Sequence, residues 1–186
     1  MTTQSPALSP FVVVVDTREQ LPYTFAGLTT RAAKGRRPLE VPTVRRGLKT
    51  GDYTIVGMED CLAVERKSKS DLYGSITYGR DRFKREHERL SGLQWAHVVV
   101  EASLADALTP PEGNRTSPRS VLGTIASWPT RYGVQWWFAD NRQLAEILTY
   151  QLMEKAHTEW RQHTDESTRR PCESPSGHVG PKFSAN

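Results

Sequence analysis

The chain has 186 residues, with 25 Lys/Arg against 21 Asp/Glu, a formal charge of +4 and 37% hydrophobic residues. That length can close one hydrophobic core, and that composition excludes a wholly disordered, collagen-like or coiled-coil chain. No apolar run approaches the ~18 residues of a membrane span, and no secretory signal is visible at the N-terminus.

Residues 1–10 are polar, contain Pro6 and Pro10, and are expected to form a flexible arm. Residues 11–16 form an apolar, β-branched run that predicts a strand buried on both faces. Residues 21–43 are rich in Gly, Pro, Thr and Arg and read as a long loop. Gly51-Asp52 marks a turn, and residues 53–56 and 62–66 read as two strands joined through 57–60. Ser70 or Asp71 is expected to cap the next helix. A second helix is predicted over 80–93, with Phe83, Leu90 and Leu93 on its buried side. A buried strand at 95–101 and a short helix at 102–108 follow. Val121, Leu122, Ile125 and Trp128 have helical spacing, and Pro129 is expected to end or kink that helix. Residues 134–138 read as a strand. Leu144, Ile147, Leu148, Leu152, Ala156 and Trp160 step by three and four, which predicts a long closing helix. The tail over 164–186 lacks the apolar content to offset its ordering entropy and is expected to be disordered. Strands alternating with helices over 11–163 predict one α/β domain, a central mixed sheet with helices on both faces.

The charge is uneven. Residues 1–100 hold 16 Lys/Arg and 11 Asp/Glu, the remainder 9 and 10. Between residues 31 and 49, seven basic residues face one acid, Glu40. That density fits either a polyanion partner, most often nucleic acid, or a solvated loop. Cys61 and Cys172 are too few and too far apart to suggest a multi-cysteine zinc site or a disulfide framework, and Cys61 reads as a small buried hydrophobe. The setting expected is intracellular: cytoplasmic, or nuclear in a eukaryote.

Three short segments carry the chemistry. Asp16-Thr17-Arg18-Glu19 ends the first strand, Gly51-Asp52-Tyr53 opens a hairpin, and Glu65-Arg66-Lys67-Ser68 precedes Asp71. Glu65 and Lys67 lie two apart on a strand and so point to one face. An Asp followed by Glu-x-Lys on the partner strand suits a metal-dependent nuclease, since Mg²⁺ takes one or two carboxylates plus water. Such a cation supplies a nucleophile near neutral pH and stabilises charge on the phosphate. The same residues can also be an exposed strand face with a weak ion pair.

Taken together, Val15-Asp16-Thr17-Arg18-Glu19, Gly51-Asp52-Tyr53, Val64-Glu65-Arg66-Lys67-Ser68 and Asp71 resemble the signature of the XPF-type structure-specific endonucleases, G-D-x(n)-E-R-K-x(3)-D. The run from Asp71 to Ile76, then Gly79-Arg80, Arg82-Phe83 and the strand ending at Glu101, continues the likeness, which spans about residues 11–160. The resemblance implies a restriction-endonuclease-like α/β/α sandwich of the PD-(D/E)XK kind and Mg²⁺- or Mn²⁺-dependent hydrolysis of DNA phosphodiesters, at branched, flap or junction DNA in repair or recombination. It implies Asp16, Asp52 and Glu65 as metal carboxylates and Lys67 as the catalytic lysine. Glu19 and Arg66 would support the site, and Asp71 would fix the following helix. Arg18, Arg36, Arg37, Arg45, Arg46, Arg80 and Arg82 are the candidate DNA contacts. The tandem helix-hairpin-helix module of larger members is not expected here, which resembles short bacterial or phage members; the resemblance leaves a homodimer and a heterodimer both open, and a nuclease that needs a partner for DNA targeting is one alternative. The other is a non-catalytic DNA-binding scaffold subunit, although the motif keeps every acid and the lysine.

Trp136, Trp137 and Phe138 read as a strand packing both faces more than as base-stacking groups. Tyr73 and Tyr78 are open candidates for DNA contact. No G-x-S-x-G or Walker-type loop is present, so serine-hydrolase and ATPase readings have no residues to carry them.

Overall fold

The computed structural model describes residues 5–30 and 35–166. In chain order the elements are β1 (Ala7–Leu8), β2 (Val13–Asp16), β3 (Leu39–Glu40), β4 (Thr43–Arg46), β5 (Tyr53–Ile55), β6 (Leu62–Lys67), α1 (Lys69–Ile76), α2 (Arg80–Leu90), β7 (Trp95–Val100), α3 (Leu104–Ala107), α4 (Pro118–Tyr132), β8 (Gln135–Phe138) and α5 (Arg142–Glu166). Six strands build the main sheet in the order β4-β2-β5-β6-β7-β8. β5 runs antiparallel to both β2 and β6, and the other pairs are parallel.

Alternation along β6 splits the core in two. Leu62 and Val64 join the side packed by α5, with Tyr53, Val99 and Met153. Ala63 joins the side packed by α1, α2 and α4, with Leu72, Phe83, Val98 and Trp128. The sheet is thus covered on both faces, the α/β/α arrangement expected, because every central strand has apolar residues at both parities.

Several local expectations change. Residues 7–9 are not a loose arm: β1 pairs with β3, Ser9 is buried, and its hydroxyl lies 3.1 Å from the Tyr150 hydroxyl. Residues 1–4 and 167–186 lie outside the described residues, and 164–166, expected in the tail, belong to the last turn of α5. The long loop contains β3 and runs into β4, which pairs with β2 although Thr43, Arg45 and Arg46 are exposed. An edge strand with one solvated face needs no apolar run, which is why periodicity missed it. Ser68, rather than Ser70 or Asp71, caps α1; its Oγ accepts from the Asp71 amide at 3.1 Å. Pro129 lies inside α4, which continues to Tyr132 and ends at Gly133. Cys61 is 2% exposed, buried as expected, while Cys172 lies outside the described residues. Among the described residues, no helix is long and apolar enough to cross a membrane.

Candidate active site

An open cleft of about 580 Å³ lies at the C-terminal end of β6, lined by Arg18, Glu19, Asp52, Glu65, Lys67 and Asp71 among others. The strand alternation that divides the core also divides the motif. Glu65 and Lys67 share the parity of Ala63 and face α1 and α2, whereas Arg66 turns to the α5 side.

Asp52 is held by backbone. Its N–H donates to the Val64 carbonyl at 2.9 Å, its carbonyl accepts from the Asp16 amide at 2.8 Å, and its Oδ2 accepts from the Arg66 amide at 2.7 Å. The preceding Gly51 has φ +74°, and a Cβ there would stand 2.9 Å from the Ala63 side chain. Only glycine brings the chain this close to β6 and turns it. The following Tyr53 is fully buried and stacks on Tyr23 with ring centroids 5.1 Å apart. Burial and the neighbouring Glu65 push the Asp52 carboxyl up to about 8.

Glu65 is 5% and Lys67 8% exposed, and the lysine ammonium pairs directly with the Glu65 carboxylate. Burial raises Glu65 above the ordinary carboxylate range, Lys67 opposes that rise, and Glu86 adds to it. Burial alone would lower Lys67, but Glu65, Glu86 and Asp52 hold it above its ordinary value. The ammonium also sits 4.9 Å from the Phe83 ring centroid. Burial and mutual repulsion thus oppose ionising Asp52 and Glu65 side by side, and Lys67 offsets part of that cost.

Asp16 stands apart. Its carboxylate accepts from the Arg18 amide (2.6 Å), the Arg18 guanidinium (2.9 and 2.8 Å) and the Leu48 amide (2.8 Å). Burial works against ionisation there, but these donors outweigh it and hold Asp16 below the ordinary carboxylate range. Its lone pairs are spent on the turn, it does not line the cleft, and among the described residues no three Asp, Glu, His or Cys side chains are grouped to hold a metal ion. Of the three carboxylates expected to hold a metal, Asp52 and Glu65 line the cleft with Lys67, and Asp16 is turned to its Arg18 and Leu48 donors.

Arg66 also lines the cleft, with its guanidinium anchored on a second network. Its guanidinium grips Glu101 through two bonds of 2.7 and 2.8 Å and lies 3.5 Å from Glu19. Glu101 also accepts from the Tyr23 hydroxyl (2.9 Å) and Arg142 (3.1 Å), and Arg142 holds the carbonyls of Leu21 and Pro22. This network ties the segment after β2 to α5. Asp71 accepts from the Ser68 hydroxyl at 2.6 Å, which places it at the helix cap. Sequence reading gave Glu86, Glu101, Arg142 and Tyr23 no place in the site. Glu86 could have been flagged as the acid one turn after inward-facing Phe83; the other three come together only through folding.

A family model described as "ERCC4 domain" matches residues 15–152. The chain belongs to the ERCC4 domain family. No curated protein matches it. Among solved structures, XPF from Aeropyrum pernix is 21% identical, with a TM-score of 0.56 over 93% of this chain and 69% of that one. The same protein in complex with DNA gives 20% identity and a TM-score of 0.58, over 84% and 74%. This ERCC4 domain thus has the fold of an XPF-type nuclease domain.

The expected DNA-contacting arginines divide on this fold. Arg45 spends its guanidinium on the carbonyls of Asp16, Thr17 and Glu19 at 2.8–3.4 Å, and Arg46 pairs with Glu59 at 3.2 Å. Arg80 bonds the Thr124 hydroxyl at 3.1 Å and lies over the Trp128 ring. Arg18 clamps Asp16 at the cleft rim. Arg36, Arg37 and Arg82 are exposed, and Arg36 lines a separate cavity of about 670 Å³ beside α5 that shares no residue with the cleft.

Proposed function

We propose that this ERCC4 domain is a divalent-cation-dependent DNA endonuclease and that Asp52, Glu65 and Lys67 carry the reaction. The observation that carries the reading is the cleft itself: two carboxylates whose ionisation burial opposes, beside a buried ammonium held by one of them. Asp52 and Glu65 are hard oxygen donors, and two carboxylates suffice for Mg²⁺ or Mn²⁺, which complete their shell with water and phosphate oxygens. When bound, the cation neutralises the phosphate and provides a water acidic enough to attack near neutral pH. Asp52 and Glu65 would hold it in their ionised forms, Asp52 after losing its proton to solvent. Lys67, restrained by Glu65 and the Phe83 ring, presents a fixed positive charge where the phosphate gains negative charge. Glu19 is held beside the cleft by Arg66, and Asp16 stabilises the turn that places Asp52. A flap, splayed or junction substrate and a role in repair or recombination belong to the same reading.

The test is cleavage of 3′-flap, splayed-arm, duplex and single-stranded DNA with Mg²⁺, Mn²⁺ or EDTA. The proposal expects cutting that needs the cation and is lost in Glu65→Gln and Lys67→Ala with DNA binding retained. Cutting by Glu65→Gln at the wild-type rate overturns it, and so does binding of DNA with no cutting under any condition, the result expected of a scaffold subunit.

A further inference from the structure

We infer that Tyr78 is a stacking platform for an unpaired base, and that Arg82, Arg85 and Arg89 lead the attached strand along α2 to the cleft. This rests on the DNA-nuclease reading and extends it to the form of the substrate. Tyr78 is 94% exposed, by far the most exposed of the large apolar side chains on the surface. The backbone that carries it is nevertheless held. The turn between α1 and α2 is closed by the Gly79 amide on the Gly74 carbonyl (2.9 Å), the Arg80 amide on the Thr77 carbonyl (3.2 Å) and the Thr77 hydroxyl on the Tyr73 carbonyl (2.6 Å). The phenol lies against the bare backbone of Gly74, where a Cβ would come within 2.7 Å of its oxygen. The ring therefore projects from a held turn with its surface open to solvent, as a sequence-tolerant base stack requires.

Its location links it to the cleft. Ser70 and Asp71 at the start of α1 line the cleft, and Tyr78 follows the other end of that helix, about 10 Å further along at 1.5 Å per residue. On α2, Arg82, Arg85 and Arg89 are all exposed and, at 3.6 residues per turn, fall within about 60° of one another. Glu86 borders that stripe on the side turned to Glu65 and Lys67, whereas Lys84 and Glu88 pair with each other on another face at 3.8 Å. Among the described residues, these three arginines make no ion pair. An aromatic face beside a row of free guanidiniums, running from the reacting groups, matches a single strand by its two invariant features, bases and phosphates.

The experiment is anisotropy of labelled single-stranded, splayed-arm and duplex DNA with the full chain in EDTA, where binding is read without cleavage. Tyr78→Ala is expected to weaken single-stranded and splayed-arm DNA about tenfold while sparing duplex, and Tyr78→Phe to bind like wild type. The double variant Arg85→Ala/Arg89→Ala is expected to weaken single-stranded and splayed-arm DNA, with a salt slope shallower by about 0.7 per lost contact. The inference is overturned by wild-type binding of both those DNAs by Tyr78→Ala, by an equal loss on duplex, or by a Tyr78→Phe loss as large as that of alanine. A wild-type chain that binds none of the three overturns the nuclease reading itself.

Discussion

Asp16 and Asp52 carry the same carboxyl group and differ only in what surrounds it. Asp16 has four donors and is driven toward the charged form, whereas burial and Glu65 push Asp52 up to about 8. A carboxyl protonated near neutrality cannot hold a cation until it ionises, so under the proposed mechanism metal and proton compete for Asp52. Cleavage should rise with pH as Asp52 loses its proton, and its midpoint should move to lower pH as Mn²⁺ is raised. A pH–rate profile whose midpoint ignores metal concentration would count against this. The two aspartates should also separate by calorimetry. Asp16→Ala should keep Mn²⁺ affinity near wild type yet cost about 1.5–3 kcal/mol of stability, the value of hydrogen bonds to a charged group. Asp52→Asn should lose Mn²⁺ affinity. The sequence motif names both residues and does not distinguish them, because donors to Asp16 come from Arg18 two residues away and from Leu48 thirty-two away.

At the scale of elements, the geometry of β6 explains how one hexapeptide serves two purposes. Period-two alternation sends Glu65 and Lys67 to the cleft and Arg66 to the Glu101 network, as their spacing indicated. What alternation cannot show is which helix lies opposite; that α2 supplies Phe83 and Glu86 depends on packing. Helix caps were only partly legible: the S-x-x-D pattern at Ser68 has the N-cap spacing, but neighbouring Ser70 and Asp71 are equally good capping types. Ser68→Ala should therefore cost about 1 kcal/mol in denaturant unfolding, and since α1 begins at the cleft it should also slow cleavage. Loss of neither would mean that the cap hydrogen bond is unimportant. Pro129 does not end α4, because a proline in a helix forfeits one hydrogen bond, which buried Trp128 and the Gly133 terminus can outweigh.

For the whole molecule, the two-sided sheet was readable from alternating apolar runs, while β1, β3 and β4 were not, since short or edge strands carry no such run. Two buried histidines add a pH signature. His87 is fully buried between the Phe83 carbonyl and the Trp136 indole N–H, and burial lowers it to about 4; burial lowers His97 to about 4 as well. Their folded pKa lies below the ordinary 6.5. The folded state thus binds fewer protons than the unfolded one, and stability is lost as pH falls from about 6.5 toward 4. Asp52 acts oppositely: its raised pKa means stability is lost as pH rises from about 4 through about 8 in the metal-free protein. Thermal unfolding in EDTA should show a weaker alkaline decline in Asp52→Asn and a weaker acid decline in His87→Gln. Unchanged slopes would contradict these assignments.

The most direct test is single-turnover cleavage of one flap substrate by wild type and Asp52→Asn, with DNA binding measured in parallel. The account predicts metal-dependent cutting by wild type and none by the variant, at unchanged DNA affinity. Cutting by Asp52→Asn at the wild-type rate would contradict it.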